Sequence, residues 1–179
     1  METTLLHPVL ESLASGERHP DIPEDRDLYG RFVGSWDFDY TGYGSDGDVT
    51  TAIGEWHFMR GLDGRAVVDV WICPSRAERV KEGSPPGEYG VTVRFYDASA
   101  DTWKVTWHGP AFGNVRPFTA AREGDEIVQR MVTPEGHDMR WIFSDIEDDS
   151  FHWRSVISED GGATWNLREE FAVRRPPAG

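Results

Sequence analysis

One histidine and two carboxylates flank a predicted turn in a pattern suited to proton transfer. Glu55 and His57 precede the turn at Asp63-Gly64, and Asp69 follows it. A three-residue connection with glycine in the left-handed conformation places His57 opposite Asp69 and leaves Glu55 on the same face of the hairpin. An opposed aspartate orients an imidazole and favours its charged form. We therefore predict that His57, Asp69 and Glu55 are catalytic acid–base residues.

The direction in which this hairpin face points is left open by the pattern. A two-residue connection would shift the pairing by one residue and separate His57 from Asp69. The opposite face is wholly apolar and is the alternative interior; it carries Trp56, Phe58, Ala66, Val68, Val70 and Ile72. The predicted acid–base site therefore depends on the length of the turn and on which face is inward.

Aromatic and arginine side chains on other predicted strands are candidates for holding a ligand. The chain contains eight tryptophans, and aromatic walls suit a flat conjugated ligand as well as a packed core. An inward arginine would bind a ligand carboxylate or pair with Asp69 or Glu169, whereas an outward one covers apolar surface with its stem. The predicted ligand-binding residues are Trp71, Arg94, Trp107, Arg140, Trp153 and Arg154.

Other reaction classes lack their sequence motifs. The chain has no Gly-x-Ser-x-Gly, no phosphate-binding loop and no His-Glu-x-x-His, and its single cysteine, Cys73, has no evident activating partner. A haem barrel of the nitrobindin type needs an axial histidine, for which His57, His108 and His152 are candidates, but the glycine-rich signature of that family is absent. We predict no cofactor and no metal site.

The elements that position these residues are predicted to be strands. Trp36, Phe38 and Tyr40 alternate with Asp37 and Asp39, which is typical of a half-buried strand. Turn residues such as Asp46-Gly47 and Gly161-Gly162 separate the apolar segments. The ten predicted strands are residues 35–43, 49–59, 65–73, 89–96, 102–108, 114–121, 126–133, 138–145, 150–158 and 164–173.

Short connections between these strands favour an all-β, up-and-down antiparallel barrel of about ten strands, with a sandwich as the alternative. The long connection at residues 74–88 is either a flap over the barrel mouth or a solvated insertion. Leu5, Leu6, Val9, Leu10 and Leu13 recur at helical spacing. We predict an N-terminal helix and linker at residues 1–25, the barrel domain at 26–175, beginning with a helical turn at 26–33, and a tail at 176–179.

The motif Gly34-Ser35-Trp36 at the first strand resembles the Gly-x-Trp signature of lipocalins and other calycin barrels. That resemblance implies that Trp36 plugs the closed end and that Arg168 or Arg174 packs across it. Residues 54–58, 62–71, 151–154 and 158–165 are similar to a bacterial group of lipocalin-like barrels of unknown function. This second resemblance covers roughly residues 30–173 and implies the fold without an activity.

Residues 158–165 resemble the Asp-box of sialidase propellers, which repeat that motif in every blade. One full copy in this chain excludes a propeller. We predict instead that Asp160 fixes the hairpin backbone and that Trp165 packs over it.

Charge and cysteine content limit the partners and the compartment. The formal net charge of −14 makes nucleic acid and anionic membranes poor partners. A single cysteine suits a reducing compartment, and no signal-peptide pattern or membrane-spanning apolar run is evident, so a cytoplasmic location is expected.

Three functions compete. The first is binding of a small apolar or aromatic molecule in the barrel. The second is a cofactor-free cyclase, isomerase or dehydratase acting on a metabolic intermediate. The third is a filled barrel serving as a structural module, with an apolar outer face on the second and third predicted strands forming a homodimer surface.

Overall fold

Ten antiparallel strands of this chain close into a barrel, and an eleventh short strand is added to its side. The computed structural model describes residues 7–81, 83–84 and 87–177. The helices are α1 (Pro8–Leu13) and α2 (Arg76–Arg79), with 3₁₀ turns at Glu24–Arg26 and Gly30–Phe32. The strands are β1 (Ala14–Ser15), β2 (Gly34–Tyr43), β3 (Val49–Gly61), β4 (Ala66–Cys73), β5 (Glu88–Asp97), β6 (Thr102–Gly109), β7 (Asn114–Glu123), β8 (Glu126–Val132), β9 (Asp138–Ser144), β10 (Ser150–Ser158) and β11 (Asn166–Arg174).

The topology is up-and-down, as the sequence predicts. Each strand from β2 to β11 pairs with its neighbours along the chain, and β11 pairs back with β2 to close the ring. Short connections between successive strands permit only antiparallel pairing. The predicted ten-strand barrel is therefore confirmed, and all ten predicted strands correspond to barrel strands.

The period of two along each strand separates the barrel interior from its outer face. On β2, Trp36 and Phe38 are buried in the core, whereas Asp39 is exposed. On β3, Trp56 and Phe58 belong to the same core. The apolar alternative face of β3 thus lies inward, so Trp56 and Phe58 are not part of an outer surface.

The β3–β4 turn corrects the predicted hairpin pairing. Asp63 and Gly64 have φ values of 59° and 72°, and the Arg65 amide donates to the Leu62 carbonyl at 3.1 Å. This geometry is that of a two-residue hairpin loop. His57 consequently pairs with Val70.

Because the predicted pairing is off by one residue, Asp69 lies opposite Phe58. A shift of one residue moves a side chain to the other face of the sheet. The prediction that His57 and Asp69 are in contact and share the barrel interior is therefore wrong.

The N-terminal segment packs along the β3–β4 hairpin. Strand β1 pairs with the end of β3, the His19 amide donates to the Gly64 carbonyl at 3.1 Å, and Ile22 is buried. Val9 and Leu10 on α1 are exposed, while Leu5 and Leu6 of the predicted helix lie outside the described residues. Within the described ranges, no helix has the length and apolar character of a transmembrane span.

Aromatic residues fill one end of the barrel. Trp36 is 1% exposed, and its indole N–H donates to the Phe32 carbonyl at 2.7 Å. The guanidinium across its ring belongs to Arg175, at 3.6 Å from the ring centroid. The lipocalin resemblance pointed to Arg168 or Arg174. Arg174 instead pairs with Asp39 at 2.6 Å on the outer face.

The β10–β11 hairpin has the bonds predicted for its Asp-box residues. Asp160 accepts hydrogen bonds from the Ser158 hydroxyl at 2.8 Å and from the Thr164 amide at 2.9 Å. The indole N–H of Trp165 donates to the Gly162 carbonyl at 3.2 Å. Asp160 therefore fixes this hairpin backbone, and its motif is structural.

Candidate functional site

A cavity of about 570 Å³ occupies the barrel end opposite Trp36. The strand ends that surround it are the end of β2, the start of β3 and the start of β7. Within the described residues its wall contains no histidine. The lining residues are Tyr40, Thr50, Thr51, Ala52, Trp56, Trp71, Cys73, Pro74, Gly87, Glu88, Thr92, Arg94, Trp107, Phe112, Asn114, Arg116, Trp141, Trp153, Glu169 and Phe171.

The cavity walls are flat aromatic rings held against one another. Trp153 stacks on Phe171 with centroids 4.3 Å apart and planes 5° from parallel. The Trp71 ring meets the Trp107 ring edge-on at 6.0 Å, and Trp141 meets Trp153 at 5.4 Å. Offset and edge-on contacts of this kind fix ring positions. The walls are therefore suited to a planar ligand.

A buried ion pair lies beneath the cavity, and its arginine, Arg94, lines the cavity wall. Asp69 forms a salt bridge with Arg94, and both side chains are almost fully excluded from solvent. Asp69 also accepts from the Trp56 indole N–H at 2.6 Å and from the Thr92 hydroxyl at 3.2 Å. Three donors therefore satisfy this carboxylate. Its charge is neutralised by Arg94, as expected for a buried charge.

A carboxyl group, that of Glu169, and a phenol, that of Tyr40, lie at the mouth of the cavity. Glu169 faces inward from β11, next to an irregularity in the β10–β11 register. Burial raises the pKa of the Glu169 carboxyl, against the opposing effects of Arg116 and the Tyr40 hydroxyl. Burial, followed by the Glu169 charge, raises the pKa of Tyr40. The mouth thus combines an acid of raised pKa with a neutral phenol.

Two residues connect the segment after β4 to the rim of the mouth. Arg79 donates to the Pro74 carbonyl at 2.8 Å and to the Glu88 carbonyl at 2.6 Å. The Glu88 carboxylate accepts from the backbone amides of Tyr89 and Ala111, each at 3.0 Å. The ends of this segment and the β6–β7 connection are therefore fixed relative to each other.

His57 and Glu55 lie on the outer face of β3, away from the cavity. The His57 Nε2 atom is 3.0 Å from a Glu55 carboxylate oxygen, and its Nδ1 is 3.0 Å from the Ser35 hydroxyl. Arg76 of α2 donates to both Glu55 oxygens, at 2.9 and 2.7 Å. Hydrogen bonds from Arg76 lower the pKa of Glu55 to about 2. The predicted catalytic cluster is therefore divided between the two faces of the sheet.

The predicted ligand-binding residues divide in the same way. Trp71, Arg94, Trp107 and Trp153 line the cavity. Arg140 and Arg154 do not, in contrast to the prediction. Arg140 lies over the Trp165 ring at 4.0 Å from its centroid, and Arg154 pairs with Glu126 at 2.7 Å. That these four lining residues contact a ligand stays a prediction.

The sequence prediction missed the polar residues of the mouth. Glu169 lies two residues before the buried Phe171, and Arg116 lies two residues before the buried Phe118. Tyr40 lies two residues after the buried Phe38. Counting by two from buried aromatics, the period of side-chain direction in a strand, would have placed all three inward.

The barrel is similar to solved structures of low sequence identity. The S-type phycobiliprotein lyase CPES from Guillardia theta is 12% identical and has a TM-score of 0.55, over 87% of this chain and 94% of that chain. Rv2717c from M. tuberculosis is 12% identical with a TM-score of 0.54, over 89% of this chain and 99% of that chain. The redesigned β-barrel mFAP0, bound to DFHBI, is 16% identical with a TM-score of 0.41, over 81% and 99%.

The first two similarities show a lipocalin-like barrel fold and, at such identities, the fold alone. No protein-family model matches the chain. No curated protein sequence matches it either. Membership of the bacterial group named above stays a prediction.

Proposed function

We propose that this protein binds a small, flat, mainly apolar molecule in its barrel cavity. The observation that carries the proposal is the open volume of about 570 Å³ bounded by stacked and edge-on aromatic rings. Small-molecule sites are typically concave, mainly apolar and equipped with a few polar groups that orient the ligand. Trp71, Trp107 and Trp153 supply the walls, and Glu169 and Arg116 supply polar groups.

Filling the cavity tests this proposal. Ala52 lines the cavity, whereas its neighbour Ile53 is exposed. We expect Ala52→Phe to weaken binding of the neutral probe 1-pyrenemethanol at least about tenfold, since a loss of about 1.4 kcal/mol corresponds to that factor. Energy transfer from tryptophan to pyrene reports binding.

The matched control is Ile53→Phe, which adds a ring on the opposite face of the same strand. It should bind the probe as the parent protein does. Thermal unfolding of both variants shows whether the fold is retained. Equal binding by a folded Ala52→Phe variant would place the probe outside the barrel and contradict the proposal.

Cofactor-free acid–base catalysis in the cavity is the second candidate function. Glu169 favours it, because burial raises the pKa of this carboxyl and so makes it better able to hold and donate a proton inside the cavity. A similar barrel is found in the phycobiliprotein lyase, which supports this candidate. Turnover of a bound substrate that is lost in Glu169→Gln would establish this function in place of binding alone.

The cytoplasmic location and the homodimer are further proposals. The single cysteine, Cys73, is buried, and a chain without a disulfide suits a reducing compartment. Exposed apolar residues on the outer face, such as Tyr89 and Phe95, support the homodimer. Analytical ultracentrifugation measures the oligomeric state.

A further inference from the structure

Glu169 is the cavity carboxylate that lacks a strong partner. Asp69 has Arg94 and two further donors, and Glu88 accepts from backbone amides. Among residues 7–81, 83–84 and 87–177, no arginine, lysine or histidine nitrogen lies within salt-bridge distance of Glu169. Its nearest influences are the Tyr40 hydroxyl and the more distant Arg116 and Arg168.

Arg116 lines the same cavity without pairing directly with Glu169. Its described polar contact is a weak one to the Met139 sulfur at 3.7 Å. It acts on Glu169 through space, lowering the pKa of that carboxyl less than burial raises it. Arg116 therefore offsets part of the negative charge at the mouth but leaves the carboxylate oxygens free to contact a ligand.

The surroundings of Glu169 favour positive charge. The faces of aromatic rings attract cations, and Tyr40, Trp71, Trp107 and Phe171 line the same cavity. The net charge of −14 attracts cations to the protein as a whole. The negative field of the protein and the unpaired Glu169 carboxylate would both repel an anionic ligand.

We propose that the cavity ligand is an organic cation with a flat aromatic body, whose ammonium or other N–H group donates to Glu169 while its rings stack on the tryptophan walls. This inference rests on the proposed binding function and names the ligand class of that site. Glu169 lies at the mouth, so the charged group of the ligand lies there and its aromatic body points inward along the rings of Trp71, Trp107 and Trp153.

Binding of such a cation is linked to proton release. Of the groups facing Glu169, burial keeps Tyr40 on β2 and Cys73 on β4 neutral by raising the pKa of each, that of Cys73 to about 12. Arg116 on β7 and Arg168 on β11 act on Glu169 through space and lower the pKa of its carboxyl. Glu169 is thus the group that titrates, and the cation favours its charged form. Affinity should fall as the pH falls through the raised pKa of Glu169.

A matched set of pyrene probes tests the inference. The set consists of 1-pyrenemethylamine as the ammonium ion, neutral 1-pyrenemethanol and anionic 1-pyrenecarboxylate. We expect the ammonium to bind about tenfold more tightly than the alcohol, because hydrogen bonds between charged groups are the stronger kind. The carboxylate should bind most weakly. Glu169→Gln should remove the preference for the ammonium and the pH dependence, and Arg116→Gln should strengthen ammonium binding.

The control is Glu170→Gln, which makes the same change in net charge on the outer face. Glu170 pairs there with His152 at 3.0 Å, so this variant should keep the preference for the ammonium. If all three probes bind equally, or if Glu170→Gln has the same effect as Glu169→Gln, the inference is overturned while the binding function stands. If none of the probes binds, the proposed function fails as well.

Discussion

The ion pair between Asp69 and Arg94 is the most demanding residue-level feature of the interior. Arg94 is 1% exposed, and its guanidinium lies 4.9 Å from the Tyr29 ring centroid and 5.5 Å from that of Phe58. Two charges taken out of water are costly unless they neutralise each other, and here Asp69 has three donors, whereas the Arg94 Nε has no hydrogen-bond partner among the described residues. The pair therefore fixes the relative positions of β4 and β5 beneath the cavity.

Removing the positive partner should be costly. Arg94→Met leaves the Asp69 carboxylate buried without a counter-charge, and breaking such a pair typically costs about 3–5 kcal/mol of stability. The free energy of unfolding, measured by urea titration, checks this value. Arg140→Met is the control, since its guanidinium packs on Trp165 at the outer face and an exposed contact of that type contributes about 0.5–1 kcal/mol. Equal losses in the two variants would show that Asp69 is not a buried charge.

Asp69 also shows where prediction from sequence stops. Asp63-Gly64 fits a two-residue or a three-residue loop, and the two choices place Asp69 on opposite faces relative to His57. Both faces of the hairpin carry apolar residues, so the pattern of apolar residues does not decide which face points inward. The decision comes from packing: β1 and His19 cover the tight turn at Gly64, and these contacts join segments far apart in the chain.

At the scale of elements, hydrogen bonds attach α2 and the residue before it to the outer face of β3. Arg76 places its guanidinium and its backbone amide on Glu55, with the amide at 2.6 Å. The Ser75 amide donates to the Ile53 carbonyl at 2.8 Å. Because Pro74 lines the cavity mouth, these contacts hold one side of the entrance. Whether this connection acts as a flap or is a solvated insertion stays a prediction.

Loosening this attachment should make the segment open more often. Arg76→Ala removes both side-chain bonds to Glu55, so amide hydrogen exchange at residues 75–81 should speed up while exchange in β3 stays unchanged. Lys81→Ala, which removes an exposed pair with Glu78, should have little effect. Unchanged exchange in Arg76→Ala would mean that packing alone holds the segment.

The same attachment should depend on acidity. The pKa of Glu55 is lowered from 4.5 to about 2, so its pairing stabilises the fold fully above about pH 4.5 and is lost as the pH falls toward 2. Exchange at residues 75–81, measured relative to the intrinsic rate at each pH, should therefore rise over that interval in the parent protein. Glu55→Gln should abolish this rise.

Strand positions were predictable because turns and alternation are local properties. The direction of two arginines was predicted wrongly, although the signal for the right direction was present. Arg140 and Arg154 each lie beside a tryptophan, Trp141 and Trp153, that is buried in the core. Adjacent strand residues point to opposite faces. Treating each tryptophan as inward would have placed both arginines outside.

At the scale of the whole molecule, the barrel has one packed end and one open end. Phe32 and Phe151 contact Trp36 at the packed end, Phe143 packs on Phe32, and the mouth lies opposite. This division accounts for both a packed core and an open cavity. The single interior of a closed barrel serves as core at one end and as site at the other.

Truncating the plug should therefore affect stability. Trp36→Ala should destabilise the fold by about 3–5 kcal/mol, the usual cost of removing a buried tryptophan ring. Trp165→Ala on the outer hairpin should cost much less. Calorimetric unfolding compares the two. A Trp36→Ala variant with the stability of the parent protein would contradict the packed-end assignment.

The closure between β2 and β11 has a consequence for the order of folding. Nine of the ten pairings in the barrel join strands that follow each other in the chain, whereas Asp39 and Arg174 across this closure are 135 residues apart. Hairpins between neighbouring strands form quickly. Pairing β2 with β11 closes a loop of most of the chain and therefore costs chain entropy. The β2–β11 pairing should form last and open first. Tyr40 and Glu169 lie on its two sides, so a ligand that contacts both would hold together the pairing most prone to separate, and its binding would slow unfolding.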